Sequence, residues 1–177
     1  AQVTLPLGHM PLQRDPGAAV HPGFQVAELV ALGVEHRHLA AVHQKAGVRV
    51  VGDRFVFESE VLFDSGRAEV SPAGRAQMDQ LAVALQDLSR EIPPEIPWVM
   101  RVDGHTDDQP IKSSQWGTNL RLSVERSMAV ADFLTKSGLS ADRVGVAGYG
   151  EYRPAVEGNG DDARQKNRRV EILMLDK

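Results

Sequence analysis

The chain has 177 residues, a length typical of one domain with its own buried core, and 42% of these residues are hydrophobic. With 20 Lys and Arg residues against 24 Asp and Glu residues, the net charge is −4, which disfavours a basic nucleic-acid-binding domain. Because the sequence contains no cysteine and no run of 18 apolar residues, it excludes disulfides and thiol nucleophiles and predicts no membrane-spanning helix.

Residues 1–47 are predicted to form an N-terminal arm and a helix, separate from the domain that follows. Four prolines in residues 1–24 favour an extended arm, and a ragged apolar stripe in residues 25–46 favours a helix. This helix carries His36, His38 and His43. Their spacings of two, five and seven residues differ from the i, i+4 spacing typical of a metal site on one helix face, so a solvated polar face is favoured.

Residues 48–177 show strands that alternate with helices. Apolar alternation predicts strands at 48–51, 54–57, 98–102, 143–149 and 169–175. The first two flank Gly52-Asp53, which suits a type II′ hairpin turn. Helical spacing predicts helices at 72–92 and 119–136, with a polar loop over 104–118 between them. This order predicts an α/β (α+β) fold, a two-layer sandwich with the helices on one face of a mixed sheet. From the strand at 54–57 onward, the order is of βαβαββ type.

The stretch from Gly104 to Asp108 is the first candidate for chemistry, because it follows a strand and α/β folds bind ligands at strand carboxyl ends. His105 and Asp107 could ligate a metal in a hydrolase. However, His105 is the only histidine after residue 43, so a zinc site there would depend on carboxylates. Ser65 lacks the G-x-S-x-G context of a nucleophile elbow. The pattern therefore favours a turn-stabilising His105 over a catalytic one.

Two further patterns carry charge. Leu122 and Arg126 share one helix face, which gives an apolar floor beside a guanidinium, although spacing alone favours a surface arginine paired with a carboxylate. Residues 164–169 contain four cations, a composition that can bind phosphate. Only some of these side chains can point the same way where a strand begins, and the net charge is negative, so nucleic-acid binding is not expected.

Together, five ordered motifs resemble the OmpA-like peptidoglycan-binding domain, the family of the outer-membrane protein A C-terminal domain, the peptidoglycan-associated lipoprotein and the stator protein MotB. The motifs are LFDSGRAEVSP at 62–72, GHTD at 104–107, NLRLSVER at 119–126, GYGEYRP at 148–154 and NRRVEI at 167–172. The resemblance covers about residues 48–176. The stretch from Asp108 to Ile111 and the long loop to Asn119 are most similar to the MotB branch.

The resemblance implies non-covalent binding of the peptidoglycan stem peptide through its meso-diaminopimelate residue. In the family, the aspartate of the T-D pair and the arginine of the L-S-x-x-R motif hold this residue, and they correspond to Asp107 and Arg126. The other positions assigned to the same pocket are Thr106, Asn119, Leu122, Phe63 and Asp64. The chain departs from the family at Asp108, where Asn is common, and at Ser127, where Ala is usual.

The chemistry of the ligand fits these two charges. The free end of diaminopimelate carries an ammonium and a carboxylate on one carbon. Arg126 can hold the carboxylate through two parallel hydrogen bonds, and Asp107 can accept the ammonium protons. A lysine-type stem lacks the second carboxylate and would leave Arg126 without its partner. The added charge of Asp108 is expected either to strengthen ammonium binding or to repel the stem carboxylates.

These inferences predict a cell-wall-binding module of an envelope protein, in the periplasm of a Gram-negative bacterium, with peptidoglycan as its partner. The module is expected not to be an enzyme and to need no cofactor, metal or nucleic acid. Membrane contact is expected only through a segment outside this chain. The resemblance to MotB-type members, which pair as dimers, is compatible with a homodimer. The alternative is a peptidoglycan hydrolase that uses His105 and Asp107.

Overall fold

The computed structural model describes residues 48–51, 54–92, 97–111 and 115–176. The predictions for residues 1–47 and for the turn at 52–53 lie outside the described residues. The strands are β1 (Arg49–Val51), β2 (Arg54–Glu58), β3 (Trp98–His105), β4 (Val144–Gly150) and β5 (Arg169–Asp176). The helices are α1 (Ser59–Leu62), α2 (Pro72–Glu91), α3 (Asn119–Lys136) and α4 (Asp161–Asn167), and a 3-10 turn covers Ala141–Arg143.

The five strands form one mixed sheet in the order β1-β2-β5-β3-β4. β3 and β4 are parallel, and the other neighbouring pairs are antiparallel. Helices α2 and α3 share one hydrophobic core with the sheet, which confirms the predicted two-layer α/β sandwich. No helix in the described part of the chain is long and apolar enough to cross a membrane.

The core forms because apolar side chains alternate along the strands and recur at helical spacing on α2 and α3. On the strands, Phe57, Met100, Val102 and Ile172 are almost fully buried. They pack with Met78, Leu81, Leu85, Val130 and Leu134 of the two helices. Helix α2 begins where its cap predicts, because the Ser71 hydroxyl accepts a hydrogen bond from the Gly74 N–H at 3.0 Å.

Three sequence predictions need correction. Strand β3 continues through Gly104 and His105, which were assigned to the polar loop, because Gly104 pairs with both β4 and β5. Strand β4 runs unbroken through Gly148 instead of ending near it. Helices α1 and α4 were not predicted, since α1 has only four residues and the seven residues of α4 carry no apolar stripe facing the core.

Two paired glycines explain why α3 lies so close to the sheet. Gly104 and Gly148 are register partners in β3 and β4. A Cβ atom on Gly104 would lie 2.1 Å from the Ser123 carbonyl oxygen, and one on Gly148 would lie 2.5 Å from Cγ2 of Val124. Only glycine therefore allows the first half of α3 to rest on the carboxyl ends of these strands. This contact positions the start of α3 beside the segment that follows β3.

A pocket at the carboxyl end of β3

The candidate site is a cavity of about 1130 Å³ at the edge of the sheet where β2 and β3 end and β5 begins. One wall is the turn over residues 64–67, which follows β2 and α1. The second wall is the loop after β3, and α3 supplies the floor. Arg168, at the junction of α4 and β5, closes one side. The cavity thus collects four segments that are far apart in sequence.

All seven residues that the sequence assigned to a ligand pocket line this one cavity. They are Phe63, Asp64, Thr106, Asp107, Asn119, Leu122 and Arg126. The structure therefore brings the predicted set together, while the ligand of the pocket stays a prediction.

Arg126 is a buried cation, only 6% exposed. Its Nε donates a hydrogen bond to the Arg67 carbonyl oxygen at 2.9 Å, and its guanidinium lies 5.1 Å from the centre of the Phe63 ring. Burial, together with the positive charge of Arg168, lowers the pKa of Arg126 to about 10, and Asp107 opposes this shift. Among the described residues, no carboxylate forms a salt bridge with Arg126. The site therefore holds a desolvated cation that an incoming anion would stabilise.

Asp107 is held from two sides. Its Oδ2 accepts a hydrogen bond from Nη1 of Arg168 at 2.6 Å, and its Oδ1 accepts one from the Gln109 N–H at 3.1 Å. Arg168 also bonds the Glu60 carboxylate, through its Nε at 2.9 Å. In the sequence, Arg168 stands out only as part of a basic run, and its place in this cavity was not predicted. The NRRVEI motif was the available signal, but the motif does not say which of its arginines faces Asp107.

Thr106 and Asn119 shape the loop after β3. The Thr106 hydroxyl donates to the Asp107 carbonyl oxygen at 3.0 Å, and the Asn119 amide donates to the Gln109 carbonyl oxygen at 2.9 Å. Asn119 is the first residue of α3, and Thr118 caps that helix by accepting from the Arg121 N–H at 3.1 Å. The start of α3 and the loop are therefore fixed to each other, and both face the cavity.

The turn over residues 64–67 forms the opposite wall. The Arg67 N–H donates to the Asp64 carbonyl oxygen at 3.0 Å, and Gly66 adopts a left-handed conformation with φ of 68°. The Gly66 carbonyl oxygen accepts a hydrogen bond from Nε1 of Trp116 at 2.9 Å. Trp116, which also lines the cavity, was not singled out from the sequence, because a lone tryptophan in a polar loop carries no pattern.

His105 does not belong to this cavity. Its ring stacks on Tyr149 with 5.1 Å between centroids and 22° between planes, and the residue is 3% exposed. Burial and the nearby Arg169 lower the pKa of His105 to about 4, against the raising effect of Glu171. His105 and Asp107 are therefore not brought together as the hydrolase interpretation requires. The described part of the chain also groups no three His, Asp or Glu side chains that could hold a metal ion.

The predicted basic run separates into individual ion pairs. Arg164 donates through Nε to Asp108 at 2.8 Å, Arg168 pairs with Asp107, and Arg169 donates through Nε to Glu171 at 2.6 Å. These arginines therefore do not form one basic surface. The Asp108 carboxylate is half-exposed and does not line the cavity. Its charge is compensated by Arg164, outside the pocket.

Comparison with known proteins places these features in a family. The chain matches the OmpA family over residues 62–168. It is 35% identical over 119 residues to motility protein B of Bacillus subtilis, and the match covers 67% of this chain and 43% of that protein. The chain spans about half the length of the curated relatives that it matches.

Two solved structures are similar in fold. The cell wall anchor of the T6SS from Pseudomonas aeruginosa superposes with a TM-score of 0.64 at 28% identity, covering 80% of this chain and 96% of that one. A MotB-like protein from Desulfovibrio vulgaris superposes with a TM-score of 0.69 at 24% identity, covering 86% and 93%. The family match over residues 62–168 includes all seven predicted pocket residues and Arg168. The chain therefore belongs to the OmpA family.

Proposed function

We propose that this domain binds peptidoglycan non-covalently, through the diaminopimelate residue of the stem peptide, and so attaches an envelope protein to the cell wall. The domain would be located in the periplasm of a Gram-negative bacterium. Family membership supports wall association, and one similar structure is itself described as a cell wall anchor. The residues of the cavity support the specific ligand.

The observation that carries the proposal is the buried Arg126 without a carboxylate partner among the described residues. Its Nε is engaged by the Arg67 carbonyl, which leaves the two Nη groups for a ligand. A ligand carboxylate can accept two parallel hydrogen bonds from that end of a guanidinium. Such a bond would also relieve the unfavourable burial of the cation, so the free energy of binding should depend strongly on this one contact.

The charges of the cavity match a zwitterion. The cavity lining offers both signs of charge, with a formal net charge of −1 from four carboxylates and three guanidiniums: Glu60, Asp64, Glu69, Asp107, Arg67, Arg126 and Arg168. The free end of diaminopimelate also carries both signs, an ammonium and a carboxylate on one carbon. Its ammonium would share Asp107 with Arg168, while Glu60 keeps Arg168 compensated. Its carboxylate would pair with Arg126, whereas lysine offers no group for that position.

The residues of the site favour binding without catalysis. His105, the residue on which the hydrolase alternative depends, is stacked on Tyr149 outside the cavity. In the cavity, Asp107, Arg126 and Arg168 are held in ion pairs or hydrogen bonds with the protein, an arrangement suited to recognition. The similar proteins are named for motility and wall attachment, and none of those compared above is named as an enzyme.

A sedimentation assay with purified diaminopimelate-type sacculi tests the proposal. Asp107→Asn and Arg126→Ala should each abolish co-sedimentation, because removing one member of a buried charged contact costs about 2–5 kcal/mol. Arg121→Ala is the matched control, since Arg121 is an exposed arginine of the same helix that does not line the cavity. Circular dichroism should show that all three variants fold.

Two results would contradict the proposal. Retained co-sedimentation of both cavity variants would show that the cavity is not the binding site. Equal competition by free lysine and free diaminopimelate would show that Arg126 does not recognise the second carboxylate. Release of soluble muropeptides that stops in His105→Ala would instead support the hydrolase alternative.

A further inference from the structure

We propose that the cavity contains a second subsite, formed by Trp116 with Pro110 and Ile111, that binds the peptide backbone and D-alanine next to diaminopimelate in the stem. This inference rests on the proposed function and extends it from one amino acid to a longer peptide. This aromatic subsite is the apolar part of the cavity wall between the loop after β3 and the turn over residues 64–67.

The size of the cavity is the first reason. A volume of about 1130 Å³ exceeds the range of roughly 300–1,000 Å³ that is typical of pockets for drug-sized ligands. The amino acid head that Arg126 and Asp107 would hold needs only a small part of that space. The remaining wall carries an indole, a proline ring and a branched aliphatic side chain, which suit methyl groups and amide planes.

The attachment of Trp116 is the second reason. Its indole N–H is bonded to the Gly66 carbonyl at 2.9 Å, so the ring is fixed before any ligand arrives. A ring fixed in this way loses little conformational entropy on binding, which makes it an effective contact surface. This hydrogen bond joins residues that are 50 positions apart in the sequence, so it also connects the two walls of the cavity.

The carbonyls of Gly66 and Arg67 in the turn indicate which part of peptidoglycan would contact Trp116. Gly66 accepts from Trp116, and the next residue, Arg67, accepts from Arg126. Consecutive residues lie about 3.8 Å apart at Cα, so the aromatic subsite adjoins the charged end of the cavity. In the stem, D-glutamate and D-alanine are both bonded directly to diaminopimelate, whereas the glycan lies beyond the first two residues, and of the two neighbours D-alanine has the apolar side chain. The peptide is therefore the part of the ligand that this wall would contact.

Calorimetric titration with free diaminopimelate and with the L-Ala-D-Glu-diaminopimelate-D-Ala tetrapeptide tests the inference. The unaltered protein should bind the tetrapeptide more tightly. Trp116→Ala should lose about tenfold in tetrapeptide affinity and distinctly less for free diaminopimelate, because stacking and apolar contacts are removed while the charged contacts stay. Trp116→Phe should keep most of the tetrapeptide affinity, since a ring remains, and Arg121→Ala should match the unaltered protein for both ligands.

Fluorescence gives an independent readout. The chain has two tryptophans, and Trp98 is 6% exposed in the core, so a tetrapeptide-induced change in emission should come from Trp116 and disappear in Trp116→Phe. Equal losses for both ligands in Trp116→Ala, or a preserved tetrapeptide advantage, would overturn the aromatic subsite alone. A stem-free GlcNAc-MurNAc disaccharide whose binding depends on Trp116 would also overturn it, in favour of a glycan site. No binding of diaminopimelate by the unaltered protein would overturn both proposals.

Discussion

Asp107 and Asp108 are adjacent in the chain, yet their carboxylates point to different parts of the molecule. Asp107 lines the cavity and pairs with Arg168, whereas Asp108 pairs with Arg164 on α4 at 2.8 Å and is half-exposed. The sequence suggested that Asp108 would either strengthen or weaken ligand binding. Its position outside the cavity, compensated by its own arginine, favours neither effect.

We therefore expect Asp108→Asn to change sacculus affinity by less than about twofold, because an exposed ion pair is screened by solvent and contributes little. Asp107→Asn, an identical change one residue away, is the matched comparison and should abolish binding. The measurement is co-sedimentation over a range of protein concentrations. A loss in Asp108→Asn comparable to that in Asp107→Asn would mean that Asp108 acts on the ligand.

Single residues also show the limit of what the sequence predicts about the site. The seven assigned residues were predictable because they fall in recognisable motifs. Arg168 also falls in a motif, but the motif does not indicate that it pairs with Asp107, 61 positions away. Trp116, whose partner Gly66 lies 50 positions away, falls in no motif. Such pairings arise from the path of the chain through the fold, and a single sequence contains no local signal for the pairing itself.

At the level of elements, the contact of α3 with the sheet controls the site. Helix α3 carries three of the predicted site residues, Asn119, Leu122 and Arg126, and it rests on Gly104 and Gly148. The helix itself was predictable from its apolar spacing. Its close approach was not, because the glycines were interpreted as ends of strands. The length of β3 was underestimated for the same reason, since Gly104 and His105 were assigned to the loop.

Gly104→Ala should move α3 and weaken both stability and binding. The new Cβ would lie 2.1 Å from the backbone oxygen of Ser123, which cannot turn aside as a side chain can, and overpacking of this kind costs about 1–3 kcal/mol. Urea denaturation would measure the loss in free energy of unfolding, and sacculus sedimentation the loss in binding.

Gly145→Ala is the control for that change, because Gly145 lies in β4 and its nearest neighbour to an added Cβ is the Met100 oxygen at an ordinary 4.0 Å. We expect it to leave stability unchanged or slightly raised, since alanine restricts the unfolded chain. Equal stability of Gly104→Ala and Gly145→Ala would show that the spacing of α3 and the sheet is less constrained than the glycine pair indicates.

For the whole molecule, the buried His105 predicts how stability depends on pH. Its pKa is about 4 in the folded protein and 6.5 in the unfolded chain. Between these values the unfolded chain binds the proton and the folded protein does not. Stability is therefore fully present above pH 6.5 and declines as the pH falls towards 4, by about 3 kcal/mol at most from this group.

Urea unfolding of the unaltered chain and of His105→Phe at pH 7.5, 5.5 and 4.5 would measure this effect. Phe keeps a ring against Tyr149 but cannot take up a proton, so the decline between pH 6.5 and 4 should be smaller in the variant. The comparison uses the difference between the two proteins, because carboxylates also contribute at low pH. Parallel pH profiles would show that His105 does not cause the decline.

The position of the turn over residues 64–67 has a mechanical consequence for a domain that holds a load. This turn follows β2 and α1 directly, and its carbonyls hold Arg126 and Trp116 at the cavity. The amino-terminal end of β2, at Arg54, lies at the opposite edge of the sheet. Tension between a bound wall and the chain before the sheet would first reach β1, whose residue Arg49 pairs with Val56 near the cavity end of β2. The three β1–β2 residue pairs would therefore carry this load before the five β2–β5 pairs do.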